Sequence, residues 1–241
     1  MIIYKPNSCN INGKVLHPLR EMPGIRIAKK NLGDVCIETF KDMNKLNELI
    51  ILLKDNTNKI LGSERLVMGN NNPNAAGLYI QTSPEFRKKG YGIGELLRLT
   101  SIILILKNKI KEFEIYSKPE AIYFHSKYKF EPAIKNFEER DNALKNLIEK
   151  CDTELIVFKT RANEILKKTS TIQDAEEQRN LCRQTNKLLK EYIQNILQTK
   201  NKYKAYPFNS GIRMILKTEE IFRNKDFFNE LFKKHCIDYK I

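Results

Sequence analysis

Leu-Tyr-Ile-Gln-Thr-Ser-Pro-Glu-Phe-Arg-Lys-Lys-Gly-Tyr-Gly-Ile-Gly-Glu-Leu-Leu, residues 78–97, decides how the rest of the chain is read. Tyr79, Ile80 and Thr82 are aromatic or β-branched and predict the end of a strand. Pro84 has no backbone N–H to donate and stops the ladder. Arg87, Lys88 and Lys89 follow, then Gly90, Tyr91, Gly92, Ile93 and Gly94, then an apolar helix. A strand, a basic glycine-rich turn and a helix start form an anion cradle. The first N–H groups of the helix point outward, the macrodipole adds about half a positive charge, and glycine lets the backbone approach a phosphate. The spacing is not that of a P-loop, which needs four residues between its glycines and then Gly-Lys-Ser/Thr. It is not the dinucleotide fingerprint either, since Glu95 stands where the third glycine belongs.

The spacing Arg-x-x-Gly-x-Gly, after a strand and Thr-x-Pro, resembles the central motif of the GNAT family of N-acetyltransferases, Val-x-Pro-x-x-Arg-x-x-Gly-x-Gly/Ala. Pro84, Arg87, Gly90 and Gly92 match, and Thr82 replaces the valine. A second stretch, Ala-Ile-Tyr-Phe-His-Ser-Lys-Tyr-Lys-Phe at 121–130, resembles the family's Ala-x-x-Phe-Tyr-x-Lys-x-Gly-Phe. Ala121, Phe124, Lys127 and Phe130 match. His125 stands at the usual tyrosine, Lys129 at a helix-ending glycine and Lys118 at a frequent asparagine. Together the motifs cover about residues 25–134.

The resemblance implies an acetyl-CoA-dependent N-acetyltransferase, an acyltransferase acting on a primary amine of a small molecule or protein. The turn Arg87, Lys88, Lys89, Gly90, Tyr91, Gly92, Ile93 and Gly94 would hold the coenzyme A diphosphate, and Ile80, Gln81 and Thr82 would pair with the pantetheine arm through main-chain hydrogen bonds. A neutral amine would attack the thioester directly, backbone N–H groups would steady the oxyanion, and a base or water chain would take the amine's proton. His125 is the candidate proton donor for the departing thiolate, since imidazolium exists near neutral pH. Glu64, expected on the strand beside the pantetheine-binding one, is the candidate base. The alternative is a GNAT-fold protein that binds coenzyme A without catalysis and serves as an interaction scaffold.

Composition sets the frame. The 241 residues, 41% hydrophobic and 30% charged, suit a globular chain with a full core. No apolar run approaches the 18 or so residues of a membrane span, and the first residues do not read as a signal peptide. Five scattered cysteines, with no paired spacing, signal neither a disulfide frame nor a metal site, and a cytoplasmic protein with free thiols is expected. The net charge of +14 comes from 43 basic residues, 32 Lys and 11 Arg, against 29 acidic ones, spread evenly with no basic tail or aromatic-interleaved stripe, so neither a nucleic-acid nor a membrane partner is expected. A homodimer is left open.

Along the chain, residues 1–24 read as an irregular lead-in with Pro6, Pro18 and Pro23, and a first strand begins at Gly24. Residues 32–49 read as a helix, with Leu32, Val35, Cys36, Phe40, Met43, Leu46 and Leu49 recurring at three- and four-residue steps. A hairpin turning at Asp55-Asn56-Thr57-Asn58 follows. The helix after the glycine turn is expected to reach Lys109, then a strand at 113–117, a helix from Pro119 to Tyr128 and extended chain at 130–134. The fold class expected is α/β: a mixed sheet with helices on both faces over 25–134, and a mostly helical extension or insertion over 135–241. There, helices are expected at 137–151, 171–199 and 225–235, and short strands at Leu155–Phe158 and Ile212–Lys217, either of which could close the sheet.

Overall fold

Among the described residues, strands and not a helix make up the first third of the chain. The computed structural model describes residues 9–11, 14–26, 33–42, 47–69, 73–87, 89–150, 155–169, 174–199 and 210–241, the first two segments as backbone only. β1 (Cys9–Ile11) and β2 (Lys14–Arg26) occupy much of the expected irregular lead-in. Pro18 and Pro23 are accommodated because the register of β2 shifts between Pro18 and Arg20 and again between Met22 and Ile25, and bulges tolerate residues that cannot continue a ladder. β3 (Asp34–Asp42) replaces the expected helix. Val35, Ile37 and Thr39 are buried while Cys36 and Glu38 are half-buried, a period of two that β-branched residues favour. Leu32, Met43 and Leu46, which completed the helical pattern, lie outside the described residues.

The hairpin forms as its turn chemistry predicts. β4 (Glu48–Asp55) and β5 (Ile60–Met68) are antiparallel. Asp55 Oδ1 accepts from the Thr57 N–H at 2.9 Å, the Thr57 hydroxyl at 2.7 Å and the Lys59 N–H at 3.0 Å, bonds that hold its carboxyl below the usual range. Asn58 takes a left-handed φ of 65°, which asparagine tolerates. Next come β6 (Asn74–Thr82), a 3-10 turn at Pro84–Phe86, α1 (Ile93–Lys107), β7 (Glu112–Ser117), α2 (Ile122–Lys127), β8 (Glu131–Pro132), α3 (Phe137–Lys150), α4 (Ile156–Thr169), α5 (Ala175–Gln198), β9 (Ile212–Lys217), α6 (Thr218–Arg223) and α7 (Lys225–Lys234). The α/β class is as expected. Leu155–Phe158 is not a strand but the start of α4, so Ile212–Lys217 is the sheet strand of the C-terminal part, pairing antiparallel with β8. Among the described residues no helix is long and apolar enough to cross a membrane.

The chain divides into two units, Met1–Phe113 with Lys217–Ile241, and Glu114–Leu216. In the first, β1 to β6 follow one another in an antiparallel sheet. α1 lies over the β4–β5–β6 part, with Leu96, Leu97, Ile102 and Ile103 buried. The C-terminal segment also reaches α1, where Lys107 Nζ lies 5.3 Å from the Tyr239 ring, and Phe228 and Phe232 of α7 are buried. Coverage by both sheet and tail explains why α1 is apolar on most sides.

In the second unit β7, β9 and β8 lie in that order, and α3, α4 and α5 pack on one another. Asp174 caps α5, accepting from the N–H groups of Glu176 and Glu177 at 2.9 Å. Asn186, a polar break in the apolar seam of α5, exchanges two hydrogen bonds with the backbone of Ile134 just beyond β8, at 2.9 and 3.0 Å. Its polarity serves the sheet edge and not the helix bundle. Arg140 of α3 is buried between Asp141 and Gln178.

Candidate active site

The turn that the sequence singled out is built on the end of β6. Ser83 leaves the ladder with its N–H on the Leu61 carbonyl at 2.9 Å and its hydroxyl on the Ile60 carbonyl at 2.7 Å, which fixes where the chain departs from the sheet. Pro84 opens the 3-10 turn, where its ring suits the first position. Arg87 folds back, donating from Nε to the Thr82 carbonyl at 2.9 Å. Gly90 and Gly92 have φ of 72° and 84°, in the left-handed region that a side chain disfavours. Gly92 is the N-cap of α1 and contributes no side-chain cap to its first turn. Tyr91 packs edge-on against Phe86 at 5.9 Å, and Ile93 is buried. Arg87, Lys89 and Gly90 are exposed, while Gly92 and Gly94 are half-buried. Lys88 lies outside the described residues. The structure therefore gathers Thr82, Arg87, Gly90, Tyr91, Gly92, Ile93 and Gly94 around one left-handed turn at a helix N-terminus. That arrangement can hold an anion through N–H groups and dipole together.

Upstream, β6 carries a bulge. Arg65 faces Tyr79 but Leu66 faces Gly77, so Leu78 is the extra residue, and its backbone falls out of the regular ladder. Leu78 and Tyr79 are exposed, and the Arg65 guanidinium lies 5.4 Å from the Tyr79 ring. Ile80, Gln81 and Thr82 follow the bulge, half-buried or exposed. After the bulge Tyr79 to Thr82 resume regular pairing with Arg65 to Gly62 and lead into the turn.

Glu64 sits on β5 directly opposite Ile80. It is only 1% exposed, and its Oε1 accepts from Arg98 Nη1 of α1 at 2.8 Å, with Arg98 itself 2% exposed and Ser101 beside it. Burial raises the Glu64 carboxyl to about 7, against the pull of the Arg98 charge and the Ser101 hydrogen bond. A raised value suits a base at neutral pH, but the carboxylate is enclosed beneath α1 and engaged by a cation. Arg98 is the partner that periodicity missed; a charge in the middle of an apolar helix, with one carboxylate on β5, is the available signal.

His125 belongs to the other unit. It lies on α2, 4% exposed, between the rings of Phe124 at 5.1 Å and Phe130 at 5.8 Å. Its carbonyl accepts from the N–H of Tyr128 at 2.9 Å and of Phe130 at 3.3 Å, closing the helix. Lys129 takes the left-handed φ of 68° that a glycine would adopt more easily. Among the described residues no group of three or more His, Cys, Asp or Glu could hold a metal ion.

No protein-family model matches the sequence, and no curated protein matches it. Solved structures are similar to part of it. A GNAT-family acetyltransferase from Staphylococcus aureus is 20% identical over 36% of this chain and 56% of its own, with a TM-score of 0.32. The PaiA N-acetyltransferase from Thermoplasma acidophilum, solved in complex with coenzyme A, is 21% identical over 38% of this chain and 56% of its own, with a TM-score of 0.31. An IAA acetyltransferase from Bacillus cereus is 14% identical over 39% and 63%, also with a TM-score of 0.31. The chain thus spans little more than half the length of these structures.

Proposed function

We propose that the chain is an N-acetyltransferase of the GNAT kind that takes acetyl-CoA as acyl donor and a primary amine as acceptor. The observation that carries this reading is the turn after β6: two left-handed glycines, an N-terminus capped by glycine, and Arg87 folded onto the strand end, in the order the motif requires. The amides of the first turn of α1 would hold the diphosphate, with Arg87, Lys88 and Lys89 adding charge. The backbone of Ile80 to Thr82 would take the pantetheine arm as an added strand. The bulge at Leu78 frees main-chain groups beside that arm, a suitable place for N–H donors to a developing oxyanion.

Acetyl-CoA supplies the activated carbonyl. The protein's part is to hold it, admit a neutral amine and manage two protons. His125 is the residue we assign to the thiolate's proton, by its place in the second motif. For the amine's proton the reading uses a water chain, because the Glu64 carboxylate is engaged by Arg98 beneath α1. The same reading places the protein in the cytoplasm, where Cys36, Cys182 and Cys236 remain reduced. Thiol release from acetyl-CoA, followed with small amines, polyamines, aminoglycosides and peptide N-termini, tests the activity. Release above the amine-free rate with at least one class is expected, and release with none of them contradicts the reading.

A further inference from the structure

Glu95, the residue that breaks the dinucleotide fingerprint, stands third in α1, inside the turn that would face the diphosphate. A carboxylate there favours the helix itself but opposes an incoming anion, because it works against the same field. The structure answers that charge from the far end of the chain. Lys234 Nζ lies 2.7 Å and His235 Nε2 2.8 Å from the same oxygen, Glu95 Oε1. An ionised carboxylate only accepts, so the imidazole donates. Glu95 is buried and His235 is 0% exposed, which places the contact out of bulk solvent and limits screening.

The two residues are held firmly. Lys234 ends α7, where the helix carbonyls favour its cation, and His235 is the C-cap. The His235 N–H donates to the carbonyls of Leu231 and Phe232 at 3.2 and 3.1 Å. Beyond them, Tyr239 packs edge-on against Phe232 at 5.5 Å, and the Ile241 N–H donates to Asn229 Oδ1 at 2.9 Å.

We propose that Lys234 and His235 are positioning residues, Lys234 neutralising Glu95 and His235 holding its carboxylate by a hydrogen bond, so that the first turn of α1 presents a net positive field to the diphosphate of coenzyme A. This rests on the coenzyme A reading above. The test uses the full chain and two ligands, coenzyme A and pantetheine, which has no diphosphate, with affinities measured by calorimetry. Lys234→Met keeps the length of a partly exposed side chain and removes its charge. It is expected to weaken coenzyme A binding by roughly fivefold, the size of a partly buried helix-terminus charge effect, and to leave pantetheine unchanged. Glu95→Gln is expected to bind coenzyme A at least as tightly as wild type. Combining it with Lys234→Met is expected to restore wild-type affinity. Equal weakening of both ligands by Lys234→Met, no weakening of either, weaker coenzyme A binding by Glu95→Gln, or no rescue in the double variant each overturns the proposal. A wild-type chain that binds no coenzyme A overturns the underlying reading, and this one with it.

Discussion

Glu64 and Arg98 show how one buried pair governs both stability and its dependence on pH. Removing the cation leaves a carboxylate under α1 without its main partner. Arg98→Met is expected to cost about 3–5 kcal/mol, read as a lower urea midpoint. The pH dependence has a definite sign. Free glutamate titrates near 4.5 and Glu64 in the fold near 7. Between those values the native state keeps a proton that the unfolded chain has released, so this contribution to stability is complete below about 4.5 and declines as pH rises through 7. Urea midpoints at pH 5 and pH 8 should fall more for wild type than for Glu64→Gln. An equal fall would show that Glu64 does not titrate in that window. His125 is tested by chemistry: His125→Phe fits between Phe124 and Phe130 and is expected to lower kcat while leaving coenzyme A affinity as it was. Unchanged kcat would remove it from the mechanism.

The turn after β6 and the hairpin before it were legible because glycine, proline and Asx chemistry act locally. Gly90 and Gly92 adopt the conformations that their spacing demanded, and Asp55 organises its turn as such residues do. What was not legible depends on partners distant in sequence. The segment 34–42 offers apolar residues at both helical and strand spacings, and pairing with β2 and β4 selects the strand. Leu155–Phe158 is apolar and short, which does not separate a strand from the first turn of a helix. Gly62 was invisible for the same reason. It lies in β5 where a Cβ would come within 2.7 Å of the Gln81 carbonyl and 2.8 Å of Ile93. It therefore sets how closely β5, the end of β6 and the start of α1 approach. Gly62→Ala is expected to cost about 1–3 kcal/mol by overpacking, measured by thermal or urea unfolding. A neutral result would show that β6 and α1 can part without loss.

The C-terminal segment returns to the first unit, and this changes what α1 is. Its largely apolar surface reflects a helix packed on the sheet and met by the tail through Tyr239, Lys234 and His235, and Phe228 and Phe232 of that tail are fully buried. Phe232→Ala is expected to destabilise the protein by about 3–5 kcal/mol, comparable with a change in the central sheet. The same packing brings Lys234 and His235 to the first turn of α1, so the segment that completes the core also shapes the proposed ligand site. The central claim is that this turn binds the diphosphate of coenzyme A. The most direct measurement is the melting temperature with and without acetyl-CoA, for wild type and for Gly92→Asp, a substitution that adds a charge and a side chain to a left-handed position. A rise for wild type that is abolished in Gly92→Asp is predicted; no rise for wild type, or an equal rise in both, would contradict it.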